Sequence, residues 1–336
     1  MLFERPNCIK PQVSFFSALH PCQTSLLPNK KHREASSFVP IISSLSLVGV
    51  NVEEEEIFFS QQAMYTTLPK LLCSIGNGEE TTIKENLIAL PQQMIVQQSQ
   101  DGNPEESLVR EIFPAIEQNY RSAEYITERA ILASRNEFVD NLNELMIGKF
   151  REKQNIHRPL TGKMIPTTTI EEEYLNTLTP NGLPPHRLVL KENAPIMMLR
   201  NLDPSNGLCN GTRLICRGFN RNVIHAEITT GQYATKQVFI PRIQLSPPEN
   251  EGYPFKFIRK QFPIRLCFAM TINKAQGQTI PNVGLYLPQH VFSHGQLYVA
   301  LSRGISMETT KILVMTEQPE RHIGTYTRNI VYKEVL

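Results

Sequence analysis

The chain has 336 residues, 40% hydrophobic and 20% charged, and no apolar run approaches the roughly 18 residues of a membrane-spanning helix, so a membrane protein is excluded on hydropathy. Formal net charge is only +2, so any nucleic-acid surface must be a local patch. Six cysteines (Cys8, Cys22, Cys73, Cys209, Cys216, Cys267) form no CxxC pair and no Cys/His cluster at zinc spacing, which argues against a metal site and for reduced structural thiols in an intracellular compartment.

In chain order, residues 1–67 read as an irregular segment, with Pro, Ser and Phe in no clear period. It holds a short basic run, "NKKHRE", then "VPIISSLSLVGV" and four glutamates at Glu53 to Glu56. It lacks the charged-then-apolar layout of a secretory signal, and the apolar run before the acids follows no phosphate loop. From Leu68, "LPKLLCSIGNGEE" predicts a helix closed by Gly76 and Gly78. "PEESLVREIFPAIEQNY" puts Leu108, Ile112 and Ile116 on one helical face that Pro114 should break or bend. Residues 68–124 are therefore read as a helical connecting region. "RAILAS" then reads as a buried strand, and "NEFVDNLNELMIG" as a helix with Asn136 as N-cap and Val139, Leu142 and Met146 inward.

Between 174 and 260 the texture changes to short β-branched runs, "APIMMLRN", "TRLICRGF", "VIHAEITT" and "KQVFIPRI". Asn206-Gly207, Asn210-Gly211 and Thr230-Gly231 punctuate them, which predicts a small β-barrel or sheet. Afterwards "IRLCFAM" predicts a strand, "TINKAQGQT" a turn into a short helix, "VGLYL" a strand, "SHGQLYVALSR" a helix and "TKILVMT" a last strand. Strands alternating with helices on both sides of the β-rich segment argue for an α/β domain with a mostly parallel sheet, at 125–173 and 261–320. The 174–260 segment is then its insertion and 321–336 a C-terminal tail.

Polar residues collect after two of these strands: Thr271, Asn273, Lys274, Gln276, Gly277, Gln278 and Thr279, then Ser293 and Gln296. Open α/β sheets bind ligands in that crevice, and a lysine beside exposed backbone N–H groups suits a phosphate. An ordinary capped loop would show the same spacing. Arg303 is equally open on its own, because a helix dipole favours arginine near a C-terminus without any ligand.

"FAMTINKAQGQT" followed by "HGQLYVALSRG" resembles the fifth and sixth motifs of superfamily-one DNA helicases. "GLPPHRLVLKENAPIMMLRNLDPSNGLCNGTRL" and "FSHGQLYVALSR" resemble the petite integration frequency (Pif) helicases, in the plant form that includes Helitron transposon-borne copies. The resemblance runs from Leu68 to Thr316. It implies two RecA-like domains with ATP and magnesium between them, a single-stranded DNA track across both, and a small Src-homology-three-like barrel inserted in the second. The alternating segments here correspond to that second domain, and 174–260 to the barrel.

By the same resemblance Arg303 falls at the arginine finger, which neutralises charge on the transferring γ-phosphoryl group. Gln276 and Gly277 fall on the nucleotide side of the fifth motif, and Gln296 at a nucleotide-side hydrogen bond. Thr271, Asn273 and Lys274 fall at DNA-backbone contacts; many relatives carry His at the Asn273 position. Arg135 and Asn136 sit at the fourth motif, where relatives often show Pro-Thr before the Asn.

An ATPase of this kind also needs a GxxxxGK[ST] loop and an acidic pair for magnesium. The Gly-Lys pairs are Gly148-Lys149 and Gly162-Lys163, and the positions five residues earlier are Asn143 and His157, so neither forms that loop. The expectation is the C-terminal half of a 5′-3′ ATP-dependent DNA helicase serving DNA repair, recombination or telomere maintenance, in the nucleus or a mitochondrion. Alone, the chain should be inactive and bind neither ATP nor magnesium tightly. Single-stranded DNA is the expected partner, with a separate N-terminal helicase half as a second. A non-catalytic single-stranded DNA-binding module and a decayed transposon-derived fragment are the alternatives.

Overall fold

The computed structural model describes residues 67–335, apart from 84–85, 98–102, 151–154, 158–173, 175–176, 179, 181, 248–257 and 320–322. The basic run, the apolar run and the glutamates of the first 66 residues, with Cys8, Cys22 and Gly162-Lys163, lie outside the described residues.

Four parallel strands form the central sheet: β2 (Arg129–Ala133), β12 (Ala269–Thr271), β13 (Asn282–Leu287) and β14 (Thr310–Val314), in the order β12-β2-β13-β14. Strict alternation sends Ala130, Leu132, Val283, Leu285, Leu287 and Ile312 to one face, and Ile131, Ala133, Tyr286 and Leu313 to the other. Both faces are buried, as a parallel sheet requires. Against the first pack α1 (Leu68–Asn77) and α6 (Gln296–Leu301). Against the second pack α2 (Pro104–Ile112) and α5 (Asn136–Gly148), which gives three layers.

The local reasons follow the sequence closely. In α1 Gly78 is the left-handed C-cap, at φ 65°. α2 starts on Asn103, whose side chain accepts from the Glu105 N–H, with Pro104 in its first turn. It stops at Ile112, before Pro114, and Ile116 belongs to a separate turn of helix, α3 (Ile116–Asn119). A third short helix, α4 (Ala123–Thr127), leads into β2. Asn136 is a correction: Arg135 occupies the N-cap of α5 and makes no side-chain cap, while Asn136 is the first helical residue and its Oδ1 accepts from Arg265 at 3.2 Å. The inward set of α5, Val139, Leu142 and Met146, is buried as its spacing predicts.

Between α5 and β12 lies a five-stranded antiparallel sheet, β11-β5-β6-β7-β8. It is built from β5 (Pro195–Met198), β6 (Arg213–Phe219), β7 (Val223–Ile228), β8 (Gln237–Pro241) and β11 (Ile264–Leu266). Ile196, Leu214, Ile224, Ala226, Ile240 and Ile264 fill its core. Two short antiparallel ribbons flank it. One pairs β3 (Asn155–His157) with β4 (Leu188–Leu190), the other β9 (Ile243–Leu245) with β10 (Arg259–Gln261). "IRLCFAM", a single predicted strand, is in fact two. Residues 264–266 close the antiparallel sheet and 269–271 form the edge of the parallel one: Cys267 N still donates to Pro195 O on β5 at 2.9 Å, whereas Phe268 O, next in the chain, accepts from Ile131 N on β2 at 2.9 Å.

Arg213, 3% exposed, fastens the two sheets together by donating to Thr127 O at 3.1 Å and Arg129 O at 3.0 Å. After β14 the chain returns as β15 (Tyr326–Arg328), antiparallel to β1 (Leu87–Ala89). Buried Asn329 then donates to Ile75 O at 2.8 Å, at the end of α1. The four described cysteines are free; Cys216 and Cys267 are buried, and burial pushes both thiols up. No helix of the described residues is long and apolar enough to cross a membrane.

Candidate nucleotide and nucleic-acid interface

The loop after β12 carries most of the candidate residues. Thr271 ends the strand half-buried, and Ile272–Ala275 is one 3-10 turn, not the start of an α-helix. Gln276 then takes an extended ψ, and Gly277 turns at φ 80° with open space around it. That left-handed residue stops helical propagation and is strained for any other side chain. Ile272 and Ala275 are buried, which leaves Asn273, Lys274, Gln276 and Gly277 exposed on the outer side of the loop. Asn143 sets the position of the whole segment: its side-chain amide donates to Ala269 O at 3.0 Å and accepts from Ala269 N at 2.9 Å, all buried.

Arg303 lies two residues past the end of α6. Its Nε donates to Val299 O at 3.0 Å, Nη2 to Ser302 Oγ at 2.8 Å, and Nη1 to Gln278 O at 3.1 Å. Burial pulls the guanidinium below the usual arginine value, yet it remains charged. The backbone supports this placement, with Ile280 N donating to Arg303 O at 2.8 Å. Gly304, next in the chain, has no room for a side chain: a Cβ there would sit 2.1 Å from Thr310 Oγ1. Arg303 is thus held against the loop that carries Gln276 and Gly277.

Gln296 is the first residue of α6. It is 4% exposed, and its Oε1 accepts from Phe292 N at 3.0 Å, so here it braces the β13–α6 connection.

On the opposite side of the loop, Lys274 Nζ donates to Asn210 Oδ1 at 2.9 Å, reaching the turn before β6. Burial, then the neighbouring Arg265 and Arg200, pull the Lys274 ammonium below the usual lysine value. Arg265 is anchored on Asp140 and Asn136 at the start of α5. Asn210 N in turn donates to Asn201 Oδ1 at 2.7 Å. Three cations (Lys274, Arg265, Arg200) and two amide side chains (Asn201, Asn210) therefore gather where the two sheets meet, with Asn273 next to Lys274 in the chain. Such a set can bind phosphate oxygens by charge and by amide N–H donation.

Sequence reasoning missed Asn201, Asn210, Arg200 and Arg265 as members of this cluster. The Asn-Gly turn at 210–211 signalled only a turn, and nothing in a linear sequence signals that it meets Lys274. Spacing assigns Gln278 no role, yet it touches both sides: its carbonyl accepts from Arg303 and its Nε2 donates to Lys274 O at 3.1 Å. Gly148-Lys149, the described Gly-Lys pair, closes α5, with Lys149 paired to Glu106 at 3.6 Å. Among the described residues no group of three or more His, Cys, Asp or Glu could hold a metal ion.

Parts of this chain are similar to known proteins. Residues 173–219 match the family model for the 2B domain of the DNA helicase Pif1. The human ATP-dependent DNA helicase PIF1 is 33% identical over 141 residues, a match covering 38% of this chain and 19% of that protein. The Saccharomyces cerevisiae ATP-dependent DNA helicase RRM3 is 46% identical over 67 residues, 20% of this chain and 9% of that protein. The match thus spans about a fifth of the length of the human relative, or less for RRM3. The crystal structure of Pif1 helicase from Candida albicans is similar with a TM-score of 0.44 and 21% identity, covering 62% of this chain and 52% of that one. A Bacteroides Pif1 in complex with ADP-AlF3 and single-stranded DNA gives a TM-score of 0.42 at 21% identity, over 67% and 51% of the two chains. By its 2B-domain match and its PIF1 and RRM3 relatives, the chain is similar over part of its length to the Pif1-type superfamily-one helicases.

Proposed function

We propose that this chain contributes the second motor domain of an ATP-dependent 5′-3′ DNA helicase, with the antiparallel sheet as its inserted Src-homology-three-like barrel. Single-stranded DNA then runs over Asn273 and Lys274 and the Arg200–Arg265 cluster. Arg303 faces a nucleotide whose phosphates and magnesium are held by a first RecA-like domain, on a longer product or a separate N-terminal half. The carrying observation is Gln278, which joins the Arg303 side of the loop to the Lys274 side through two hydrogen bonds. Relatives named as ATP-dependent DNA helicases support ATP and DNA as the ligands. DNA repair, recombination or telomere maintenance in the nucleus is the setting we propose for it.

An arginine finger stabilises charge on a phosphoryl group that other residues must already hold, so these 336 residues alone should not turn over ATP. The experiment is ATP hydrolysis by the purified chain, with and without single-stranded DNA and with a phosphate-loop-bearing N-terminal half added. We expect no turnover by the chain alone. Complementation should be DNA-stimulated and fall about a thousandfold or more in Arg303→Ala. DNA-stimulated turnover by the chain alone that vanishes in Arg303→Ala would overturn the division of labour.

A non-catalytic single-stranded DNA-binding module is the second reading, favoured by the cationic cluster needing no nucleotide to be complete. It predicts steeply salt-dependent DNA binding without any complementation.

A further inference from the structure

The outer face of β7 and β8 carries a feature that the parallel sheet does not explain. Phe239 is 67% exposed, although it sits in the middle of a strand whose neighbours Val238 and Ile240 are buried. Its cross-strand partner is His225, and the two rings stack with centroids 5.1 Å apart at 25°. Beyond His225, on β6, lies Gly218, where the register shifts after Cys216. The shift and the missing side chain leave the imidazole room. They also send Arg217 sideways, to Glu227 at 3.1 Å and Asn193 at 2.6 Å. The imidazole covers one face of the Phe239 ring and fixes its orientation, and the rest of the ring stands open.

Charge decides what such a surface suits. Residues 214–242 hold four cations (Arg217, Arg221, Lys236, Arg242) and one acid, Glu227, so 4 − 1 gives +3 where the whole chain has +2. That one carboxylate is itself answered by Arg217 and by Gln237 at 2.8 Å. The face is also joined to the Lys274 cluster. The turn that presents Asn210 to Lys274 also receives Lys236 Nζ on Asn206 Oδ1 at 2.6 Å and the Tyr233 hydroxyl on Ser205 O at 2.7 Å. Lys236 lies three residues before Phe239.

We propose that Phe239, steadied by His225, is a stacking platform for an unpaired nucleobase of a strand whose phosphates also engage the Lys274 cluster. The proposal rests on the single-stranded DNA reading above and adds a second contact to it. Stacking on an aromatic face tolerates any base, and the surrounding cations suit the backbone between the bases.

The chain has no tryptophan, so Phe239→Trp places a sole indole fluorophore at the platform. Emission of Phe239→Trp should be quenched by an oligodeoxythymidylate, saturating at the same concentrations as fluorescence anisotropy of the labelled strand. Phe239→Ala, an exposed change that leaves the core intact, should weaken binding of that strand about tenfold and leave binding of an abasic strand unchanged. Full binding by anisotropy with silent indole emission, or wild-type affinity in Phe239→Ala, would sink the platform alone and leave the face to a protein partner. If the unsubstituted chain binds no single strand even at low salt, the platform and the DNA reading fail together.

Discussion

Arg303 Nη1 donates to the Gln278 carbonyl at 3.1 Å, and the same glutamine donates from its side chain to Lys274 O at 3.1 Å. The arginine of the helix end and the lysine of the loop are thus two hydrogen bonds apart, through one residue. Gln278→Ala keeps the carbonyl for Arg303 and removes the tie to Lys274. It also removes Gln278 Oε1, a buried atom without a hydrogen-bond partner, so the fold loses little. One neutral hydrogen bond contributes about 1 kcal/mol, so single-stranded DNA affinity should fall about fivefold with little change in Tm. Anisotropy and thermal melts on the same samples test this, and an unchanged affinity would remove Gln278 from the coupling.

The depressed Lys274 ammonium gives a pH signature of definite sign. Burial, Arg265 and Arg200 all favour its neutral form, so it loses its proton below the ordinary lysine value of 10.5. As pH rises through that lowered value the unfolded chain holds more protons than the folded one, so this group's contribution to stability increases with pH. Affinity for a polyanion runs the other way and falls over the same window. Phosphate oxygens beside the ammonium restore its proton, so binding on the alkaline side should take up protons. Calorimetry in buffers of different ionisation enthalpy measures that uptake. Lys274→Arg, which keeps its charge, should abolish it.

Asn143 carries the strand that carries the loop. It satisfies both backbone groups of Ala269 inside the molecule, and Asn143→Ala leaves them unpaired at a cost of about 2 kcal/mol or more. Asn143→Asp separates the two roles. The introduced carboxylate can accept from Ala269 N but meets Ala269 O with negative charge, whereas the protonated acid can donate to it. Its folded pKa should therefore exceed the unfolded value near ~3.9, with stability present below that pH and lost as pH rises. Denaturant melts across that range should show Asn143→Asp recovering on acidification while Asn143→Ala does not.

The parallel sheet was legible because every signal agreed. β-branched runs of strand length alternated with helical periods, and Gly78, Pro104 and Pro114 marked the helix ends. In the β-rich segment Gly207, Gly211 and Gly231 all take positive φ, as their turn dipeptides imply. What misled was local ambiguity that tertiary contacts resolve. Asn136 is a good N-cap by propensity, yet Arg265, 129 residues away, takes its side chain. "IRLCFAM" has no polar break, but residues 264–266 find β5 and 269–271 find β2, which lie in different sheets. The cluster around Lys274 was half visible: the loop showed its own residues, and the asparagines and arginines that face it come from the other sheet. Gln296 is buried and its Oε1 accepts from Phe292 N, a partner that spacing cannot announce.

Gly304 separates packing from conformation at the end of the finger segment. It takes no left-handed φ, yet a Cβ would lie 2.1 Å from Thr310 Oγ1 and 3.2 Å from Val283 Cγ1. Thr310 cannot swing away freely, because its hydroxyl donates to Ser306 O at 2.7 Å and the residue is 1% exposed. Gly304→Ala should therefore cost about 1–3 kcal/mol through overpacking. Gly277→Ala meets open space and pays only for its φ of 80°, about 1 kcal/mol. The distinguishing measurement is a double-mutant cycle by denaturant unfolding. Thr310→Ala removes the clashing oxygen, so Gly304→Ala/Thr310→Ala should be less destabilised than the sum of the two single changes, whereas Gly277→Ala/Thr310→Ala should be additive. Additivity in both cycles would mean that the Gly304–Thr310 approach does not fix the backbone beside Arg303.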